Sequence, residues 1–560
     1  MWSVAAKAVV AQNTLPTDTS GLERRDTVVQ RRVDTTAIPA TPIVWLVDDY
    51  PLTRARLNEL RRKGERYPIL RSTSSLLWAG DTTRAPGVRG LPPQMQAMSN
   101  SAIPYSRNDG GLWGGRGRNV RVIGGGLARI GVLRIVFAPE IATAQNDSFP
   151  PRNEAIIPSP SIPPNRSTFA FPWYANGPYS LDMPLRFGTR SQSELRLGQS
   201  SIFADLGAVS FGFATENEWW GPGIDNALVM SNNAPGFPHF ELRTSQPLRT
   251  RLGDIEFRWM VGGLTQSAFF DTTSSELNRS ISAAAVTLRT GWVPDLSVGL
   301  ARSVIGTSTG WGEIPWRWLD VLHNTGHPNA GAPYDSTLSP GGRDQLISLF
   351  ARWVLPASGA EIYGELGRLD FPRNLRDLLV QPNRGLAYTY GLQWARQAFV
   401  PTGTFSLRFE NTSLEQSLAL RNRFAGVWYT SRRVLQGFTN EGEVLGAAIG
   451  PGSSGQTLDM SYHVTRGFFG LQFGRTRYNE DVHQASPMLD YLRWCSHDVE
   501  LAWGFHGGIS TRFGTISARS LYQDRLNAWF QGGHGCPRSD GMVDIRNHNF
   551  AVTFSPFGHW

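Results

Sequence analysis

The chain has 560 residues, of which 18% are charged, and its formal net charge of +8 rests almost wholly on arginine. Its length exceeds the roughly 250–300 residues at which a single soluble core stops growing. No run of about 18 apolar residues is present, which excludes a helical membrane span, and no recognisable nucleic-acid-binding module accompanies the arginines, so we expect no nucleic-acid partner.

The first 110 residues differ from the rest of the chain. Residues 1–12 (MWSVAAKAVVAQ) resemble the end of an export signal, and a disordered tail is an equally good interpretation. Residues 13–110 are rich in proline, serine and threonine and contain one helical segment, 51–63, which starts at Pro51 and ends in basic residues. We predict a small helical or irregular periplasmic region over 13–110; a partly disordered linker is the alternative.

In residues 111–560, apolar and polar residues alternate. Examples are 404–410 (TFSLRFE), 498–505 (DVELAWGF) and the C-terminal stretch that ends on Trp560. Alternation is typical of half-buried strands, both in soluble sandwiches and in transmembrane barrels. The length, the 59 glycines, the 19 tryptophans and the terminal aromatic residue favour a barrel.

We therefore predict an all-β fold, a large transmembrane antiparallel β-barrel over residues 111–560, with roughly sixteen to eighteen strands. The predicted strands are 120–128, 130–143, 193–205, 206–215, 240–247, 252–266, 281–290, 295–305, 346–355, 360–369, 386–397, 402–412, 425–430, 456–465, 467–478, 496–504, 511–521 and 547–557.

Short and long connections alternate between the predicted strands. Short connections are predicted at 356–359, 466–467 and 507–508, and long ones at 150–182, 306–343, 479–495 and 523–546. In bacterial barrels the short turns face the periplasm and the long loops face the cell exterior. The pattern predicts a barrel in the outer membrane of a Gram-negative-type bacterium, in contact with lipid and lipopolysaccharide. We expect a monomer.

Residues 216–238 are the stretch richest in motifs. Paired tryptophan rings offer flat apolar faces on which a pyranose ring can stack, and asparagine and glutamate side chains can bond sugar hydroxyls. The candidate carbohydrate-binding residues are Glu218, Trp219, Trp220, Asn232 and Asn233. The alternative interpretation is a loop folded into the lumen as a plug, in which the tryptophans pack and the asparagines cap turns.

Four motifs together resemble the Wzi-type capsule assembly proteins: 218–223 (EWWGPG) with 231–233 (SNN), 361–365 (EIYGE) with Asp370, 410–412 (ENT), and 428–430 (WYT) with the glycine-rich stretch 437–450. The resemblance covers residues 111–560. It implies an eighteen-stranded outer-membrane barrel preceded by a periplasmic helical region. It also implies a lectin-like role, in which the protein tethers capsular or exopolysaccharide to the cell surface.

Two other functions stay open at this point. A diffusion porin or passive channel would share the barrel pattern. A lumen-facing glycan hydrolase could use two carboxylates about 5–10 Å apart, and Glu361, Glu365 and Glu410 are candidates. Lumen arginines such as Arg258 and Arg408 can instead balance these carboxylates, so we expect a protein that is not an enzyme.

No metal or cofactor site is predicted. Asp320, His323 and His327 lie close together in the sequence, but their spacing is not that of metal ligands. The glycine-rich stretch 437–453 lacks the Gly-Lys-Ser/Thr ending of a phosphate-binding loop. We expect the protein to use neither a metal nor a cofactor.

The chain contains only two cysteines, Cys495 and Cys536. Both fall in predicted long connections, which places them on the exterior side of the barrel. An exported protein with two cysteines on one side favours a disulfide between them. The alternative is two unpaired thiols in mobile loops.

Overall fold

Eighteen antiparallel spans close into a barrel in the computed structural model. The structure describes residues 45, 50–61, 66–79, 86–149, 181–268, 278–323, 342–369, 375–416, 426–431, 433–434, 436–481, 497–530 and 544–557. The predicted export signal 1–12, His327, Asp370, Cys495 and Cys536 lie outside the described residues, and so does the predicted disulfide.

The strands are β1 Leu70–Ser72, β2 Gly87–Asn100, β3 Gly117–Ile130, β4 Leu133–Phe137, β5 Glu140–Ala144, β6 Gln192–Arg196, β7 Ser201–Asp205, β8 Val209–Ala214, β9 Glu218–Trp220, β10 His239–Thr244, β11 Leu248–Thr250, β12 Gly253–Thr265, β13 Asn278–Thr290, β14 Leu296–Thr307, β15 Arg343–Leu355, β16 Ala360–Arg368, β17 Leu386–Gln397, β18 Thr404–Ser413, β19 Thr439–Asn440, β20 Glu443–Val444, β21 Ser454–Val464, β22 Gly467–Tyr478, β23 Asp498–Thr511, β24 Gly514–Leu526 and β25 Ile545–Pro556. The pairs β4–β5, β6–β7 and β10–β11 each form one broken span, whereas β1, β9, β19 and β20 lie outside the barrel wall.

The barrel wall has its apolar side chains on the outside and its polar side chains in the lumen. In β23, Leu501, Trp503 and Phe505 are 44%, 49% and 47% exposed, whereas Glu500 is 2% exposed. The two sets alternate because successive side chains of a strand point to opposite faces. The predicted inside-out pattern of a transmembrane barrel is confirmed, and its long connections mark the exterior end.

The barrel begins earlier in the chain than predicted. Strand β2 pairs with both β3 and β25 and so closes the cylinder, although its residues fall in the range 13–110 that the sequence assigned to a periplasmic region. The register of β2 against β3 shifts between Leu91 and Gln94, where Pro92 and Pro93 interrupt the strand. Proline cannot donate to a strand ladder, and this interruption hid the strand in the sequence.

Two other predictions about the wall are wrong. Residues 426–430 form turns rather than part of a strand, and Trp428 and Tyr429 are fully buried. The predicted turn at 507–508 lies inside β23, because Gly507 and Gly508 take an extended conformation, and the chain turns instead at 512–513. A short aromatic run and a glycine pair each fit two local structures equally well, and only tertiary contacts decide between them.

The helices are α1 Tyr50–Leu60, α2 Thr73–Leu77, α3 Leu375–Val380 and two 3-10 helices, Ile314–Leu322 and Ala528–Phe530. The helix predicted at 51–63 is observed as α1, at the short-turn, periplasmic end of the barrel. Arg54 of this helix donates to the main-chain oxygen of Thr465, in the turn between β21 and β22, at 3.3 Å. None of the described helices combines the length and the apolar character that a bilayer-spanning helix needs.

Candidate functional site

A plug built from both ends of the barrel occupies the lumen. The plug segment, residues 215–238, connects β8 to β10 at the exterior end, and its strand β9 pairs with β1 of the N-terminal region. Leu70 pairs with Trp220, and Ser72 pairs with Glu218. Because β1 follows the periplasmic helix α1, this small sheet joins the N-terminal region to an exterior loop inside the barrel.

The paired tryptophans lie in the interior of the plug. Trp219 and Trp220 are each 0% exposed. The guanidinium of Arg71 stands 4.8 Å from the ring centroid of Trp219, and the indole nitrogen of Trp220 donates to Glu218 at 3.0 Å. Trp220 also belongs to the luminal apolar core, with Met230. This burial supports the plug interpretation, and direct contact of either ring with a saccharide stays a prediction.

The asparagines of the motif fasten the plug segment to two other exterior connections, those that follow β2 and β18. Asn233 donates from Nδ2 to the main-chain oxygen of Val444 at 2.9 Å, and the Ser231 hydroxyl donates to that of Gly446 at 2.6 Å. The main-chain oxygen of Asn232 accepts a bond from the amide of Gly110 at 2.8 Å. Asn232 and Asn233 are thus buried, at 0% and 7% exposure, and contact of either side chain with a saccharide stays a prediction.

A glutamate of the barrel wall, Glu410, binds the main chain of the plug segment. Glu410 on β18 accepts bonds from the amides of Ile224, Asp225 and Asn226 at 2.6, 3.1 and 2.8 Å. The Tyr363 hydroxyl donates to the same carboxylate at 2.8 Å. The carboxylate thus satisfies three consecutive amides of a turn, which is a charge-assisted and strong arrangement.

Glu365 and Glu361, on the same face of β16, also form hydrogen bonds or ion pairs inside the barrel. Glu365 accepts a bond from the Leu228 amide at 3.2 Å, and a Cβ on Gly221 would lie only 2.8 Å from Glu365 Oε2. Glu361 forms ion pairs with Arg56 of α1 and Arg352 of β15, both at 2.5 Å. The carboxylates that were candidates for glycoside hydrolysis therefore hold the plug segment and α1 in place.

A buried charged cluster joins the plug to β10 and β12. It consists of three glutamates and two arginines, all at most 5% exposed: Glu216, Glu218, Glu241, Arg243 and Arg258. Together with His239, Glu218 and Glu241 bring metal-ligand-type atoms within 4.8 Å of one another. Arg258 Nη1, however, lies 2.6 Å from Glu218 and 3.4 Å from Glu241. The two carboxylates that would have to bind a cation are thus already paired with Arg258.

A polar chamber of about 310 Å³ lies in the lumen beside α1. Its lining includes Arg107, Asp225, Arg408, Asp459 and His506, and a smaller cavity of 160 Å³ shares the first three of them. Sequence reasoning identified Arg408 as a lumen residue but missed the chamber, because its lining comes from strands and loops that are far apart in the chain.

A small exterior cleft of about 30 Å³ is bordered by β5, β6 and the exterior connections that follow β2, β5, β8 and β18. Trp113 contacts Phe187 edge-to-face, with ring centroids 4.7 Å apart. Arg196 donates from Nε and Nη2 to Glu441 at 2.9 and 2.6 Å. Glu194 also pairs with Arg196 and is 48% exposed. An aromatic ring, carboxylates and a guanidinium thus border the cleft at the exterior mouth, and no motif in the sequence pointed to it.

Two buried carboxyl groups in the exterior loops have raised pKa values. Burial raises the pKa of Glu443 well above its usual range; Arg196 opposes the rise, and the carboxylates of Asp109 and Glu441 add to it. Burial likewise raises the pKa of Asp182, against hydrogen bonds from Ser267 and the charge of Arg279. Both carboxyl groups are therefore weaker acids in the folded loops than in the unfolded chain.

A family model described as capsule assembly protein Wzi matches residues 93–521. The chain belongs to this family. The match begins inside β2 and ends inside β24, so it covers most of the barrel and confirms the resemblance drawn from the four motifs. This Wzi family member is thus an outer-membrane protein, and its eighteen spans form a closed β-barrel.

Among solved structures, the chain is similar to Wzi of Escherichia coli, described as an outer membrane protein involved in group 1 capsule assembly and a carbohydrate-binding β-barrel. The identity is 9% and the TM-score 0.52, over 91% of this chain and 94% of that chain. OccAB2 of Acinetobacter baumannii matches at 8% identity and a TM-score of 0.37, over 83% and 97% of the two chains. OccK7 of Pseudomonas aeruginosa matches at 9% identity and a TM-score of 0.36, over 83% and 98%. At 9% identity, the likeness to Wzi shows the fold alone. A comparison with curated proteins found no match.

Proposed function

We propose that this protein retains capsular or exopolysaccharide at the cell surface as a non-enzymatic, lectin-like barrel. The observation that carries the proposal is the bonded plug: Glu410 holds three amides of the plug segment, and β9 pairs with β1 inside the lumen. A diffusion channel needs an open lumen, whereas a protein that holds a polymer outside the cell does not. Membership of a capsule assembly family supports the same function.

The exterior cleft is the proposed contact surface for the polysaccharide. Sugars are bound by an aromatic face together with polar groups that fix their hydroxyls, and Trp113, Arg196 and Glu441 bring both kinds of group together at the exterior mouth. The cleft of about 30 Å³ is too small to enclose a sugar ring, so the proposed contact is with its rim. The predicted binding residues Glu218, Trp219, Trp220, Asn232 and Asn233 stay in the proposal through a different contribution. Asn233, together with Ser231, holds the plug segment against the connection after β18, whose Glu441 lines the cleft. Asn232 bonds to Gly110 in the connection after β2, whereas Glu218, Trp219 and Trp220 stabilise the interior of the plug segment.

The bonding of the luminal carboxylates supports a role without catalysis. A glycosidase needs one carboxyl group free to protonate the leaving oxygen and another free to act as base or nucleophile. Glu361 is held by two arginines, and Glu410 is occupied by three amides and a tyrosine hydroxyl.

The test compares cells that produce the wild-type protein, no protein, or the cleft variants Trp113→Ala and Arg196→Gln. We expect total polysaccharide to stay constant while the cell-associated fraction falls in the absence of the protein and in both variants. The control is Arg376→Gln, on the exposed helix α3 of a different exterior loop, which should retain polymer normally. Unchanged retention without the protein would refute the proposal, and steady conductance of the purified barrel in planar bilayers would support a channel instead.

A further inference from the structure

The 3-10 helix Ile314–Leu322, which we call the wall helix, lies against the outside of the barrel. It belongs to the exterior connection between β14 and β15. On β12, Arg258 and Met260 point into the lumen, so Trp259 between them points outward. Trp318 of the wall helix packs edge-to-face on Trp259, with ring centroids 5.6 Å apart. The exterior connection therefore folds down along the wall.

Polar side chains of the wall hold this helix through its main chain. The main-chain oxygen of Trp318 accepts bonds from Trp259 Nε1 at 3.0 Å and from the Ser282 hydroxyl at 2.9 Å. Arg302 donates to the main-chain oxygens of Val321 and His323, both at 2.6 Å. Ser282 and Arg302 also point outward, because their neighbours Ala283 and Ala301 lie in the luminal core.

These bonds satisfy groups that a helix end normally leaves to water. The last carbonyls of a helix have no partner within the helix, and in hydrocarbon each of them needs a donor from the protein. Here Arg302 supplies donors to Val321 and His323 at the end of the helix. Trp259 and Ser282 supply them to Trp318 within it. These polar groups would otherwise be misplaced on an apolar outer surface. Bonds of this kind are what a helix within a membrane needs.

The opposite face of the wall helix is apolar and exposed. Trp316, Leu319 and Leu322 are 85%, 54% and 67% exposed. This face continues the apolar outer wall, where Leu349 on β15 is 59% exposed. The charged residues of the helix are paired at its sides: Arg317 lies 3.3 Å from Glu313 and 3.5 Å from Asp320.

We propose that the wall helix lies in the outer leaflet of the outer membrane, where Trp316, Leu319 and Leu322 contact lipid acyl chains. Its continuity with the lipid-facing wall identifies lipid as the occupant of this face. Trp259 is the seventh of the 13 residues of β12. Because Trp318 packs on it, the wall helix reaches down to about the middle of that span. The exterior connection is thus anchored to the membrane as well as to the barrel.

The test places a nitroxide spin label at single cysteines in the full chain, after replacement of Cys495 and Cys536 by serine, in lipid vesicles. The sites are Leu319→Cys and Leu322→Cys, with Leu349→Cys on the wall as the lipid control. Ala357→Cys, in the exposed turn between β15 and β16, is the aqueous control. We expect labels at 319 and 322 to show high accessibility to oxygen and low accessibility to a soluble nickel chelate, as at 349.

Either of two other results overturns the proposal. High accessibility to the nickel chelate, as at 357, would place the helix in water. Low accessibility to both reagents would mean that protein covers the face, and in that case a second copy of the chain is the occupant. An independent measurement needs no cysteine: Trp316→Phe should remove part of the tryptophan quenching by brominated lipid chains, and undiminished quenching would also count against the proposal.

Discussion

Arg258 Nη1 lies 2.8 and 2.6 Å from the two carboxylate oxygens of Glu218, and this contact joins the barrel wall to the plug. Both side chains are almost fully buried. They belong to a cluster in which three carboxylates, of Glu216, Glu218 and Glu241, face two guanidinium groups, of Arg243 and Arg258. The cluster thus contains one more acidic group than basic groups, so loss of Arg258 and loss of the Glu218 charge should not have the same effect on stability.

Removal of Arg258 should therefore cost more stability than removal of the Glu218 charge. Arg258→Met leaves three buried carboxylates with one arginine, and we expect a loss of about 3–5 kcal/mol in the free energy of unfolding. Glu218→Gln leaves two of each and should cost only about 1–3 kcal/mol. Urea unfolding of the refolded barrel measures both values. An equal or larger loss for Glu218→Gln would show that the cluster is not acidic in excess.

Arginine on the outer wall should destabilise the barrel more than arginine in the lumen. Phe409 points outward, and Phe409→Arg should cost about 2–4 kcal/mol if the residue lies near the membrane midplane. Ser406, on the same strand, lines the 310 Å³ luminal chamber. An arginine at this position would have polar surroundings, so Ser406→Arg should cost less stability than Phe409→Arg. Unfolding of both variants in lipid vesicles gives the comparison, and equal losses would contradict the inside-out orientation.

The burial of Trp220 predicts a folding defect when its ring is removed. Trp220→Ala deletes a fully buried side chain of the luminal core, which should cost about 3–5 kcal/mol and lower the yield of folded barrel. Trp292→Ala, at a position that is 62% exposed, is the control and should have little effect. Retained polysaccharide per folded molecule is measured in parallel. A loss of retention at normal yield would favour direct sugar contact by Trp220.

The raised pKa of Glu443 predicts that the exterior loops are more stable in mildly acidic solution. The folded loops bind the Glu443 proton more tightly than the unfolded chain does. This stabilisation is complete below the unfolded pKa of roughly 4.3, and it is lost as the pH rises through the higher folded pKa. Hydrogen-exchange rates of residues 436–453 are first corrected for the intrinsic dependence of amide exchange on pH. The corrected rates should then fall as the pH is lowered. Glu443→Gln should flatten this dependence, and an unchanged slope would exclude Glu443 as its cause.

The barrel was predictable from sequence because its signal is local. Alternation in 498–505 defines two faces without knowledge of any other strand, and the observed exposure follows it. Strand β2 was missed because Pro92 and Pro93 break the same local signal. The run at 425–430 was assigned to the wall because its apolar residues suit a strand and a luminal plug equally well.

The site was much less predictable because it depends on distant contacts. Glu410 and Ile224 are 186 residues apart in the chain and are joined by a hydrogen bond. From the sequence, Glu410 was a candidate catalytic group. A glutamate that binds main-chain amides and a glutamate that protonates a sugar look the same in a sequence. The exterior cleft likewise combines Trp113, Arg196 and Glu441, and no short motif connects them.

The pairing of β1 with β9 also has a mechanical consequence. An outward pull on the exterior end of residues 215–238 is resisted by strand pairing with residues 70–72 and by the three amide bonds to Glu410. These attachments act in parallel on one short segment, so each of them carries only part of the load. Shear from a moving extracellular polymer would thus reach a rigid interior and the whole cylinder rather than a loop tip.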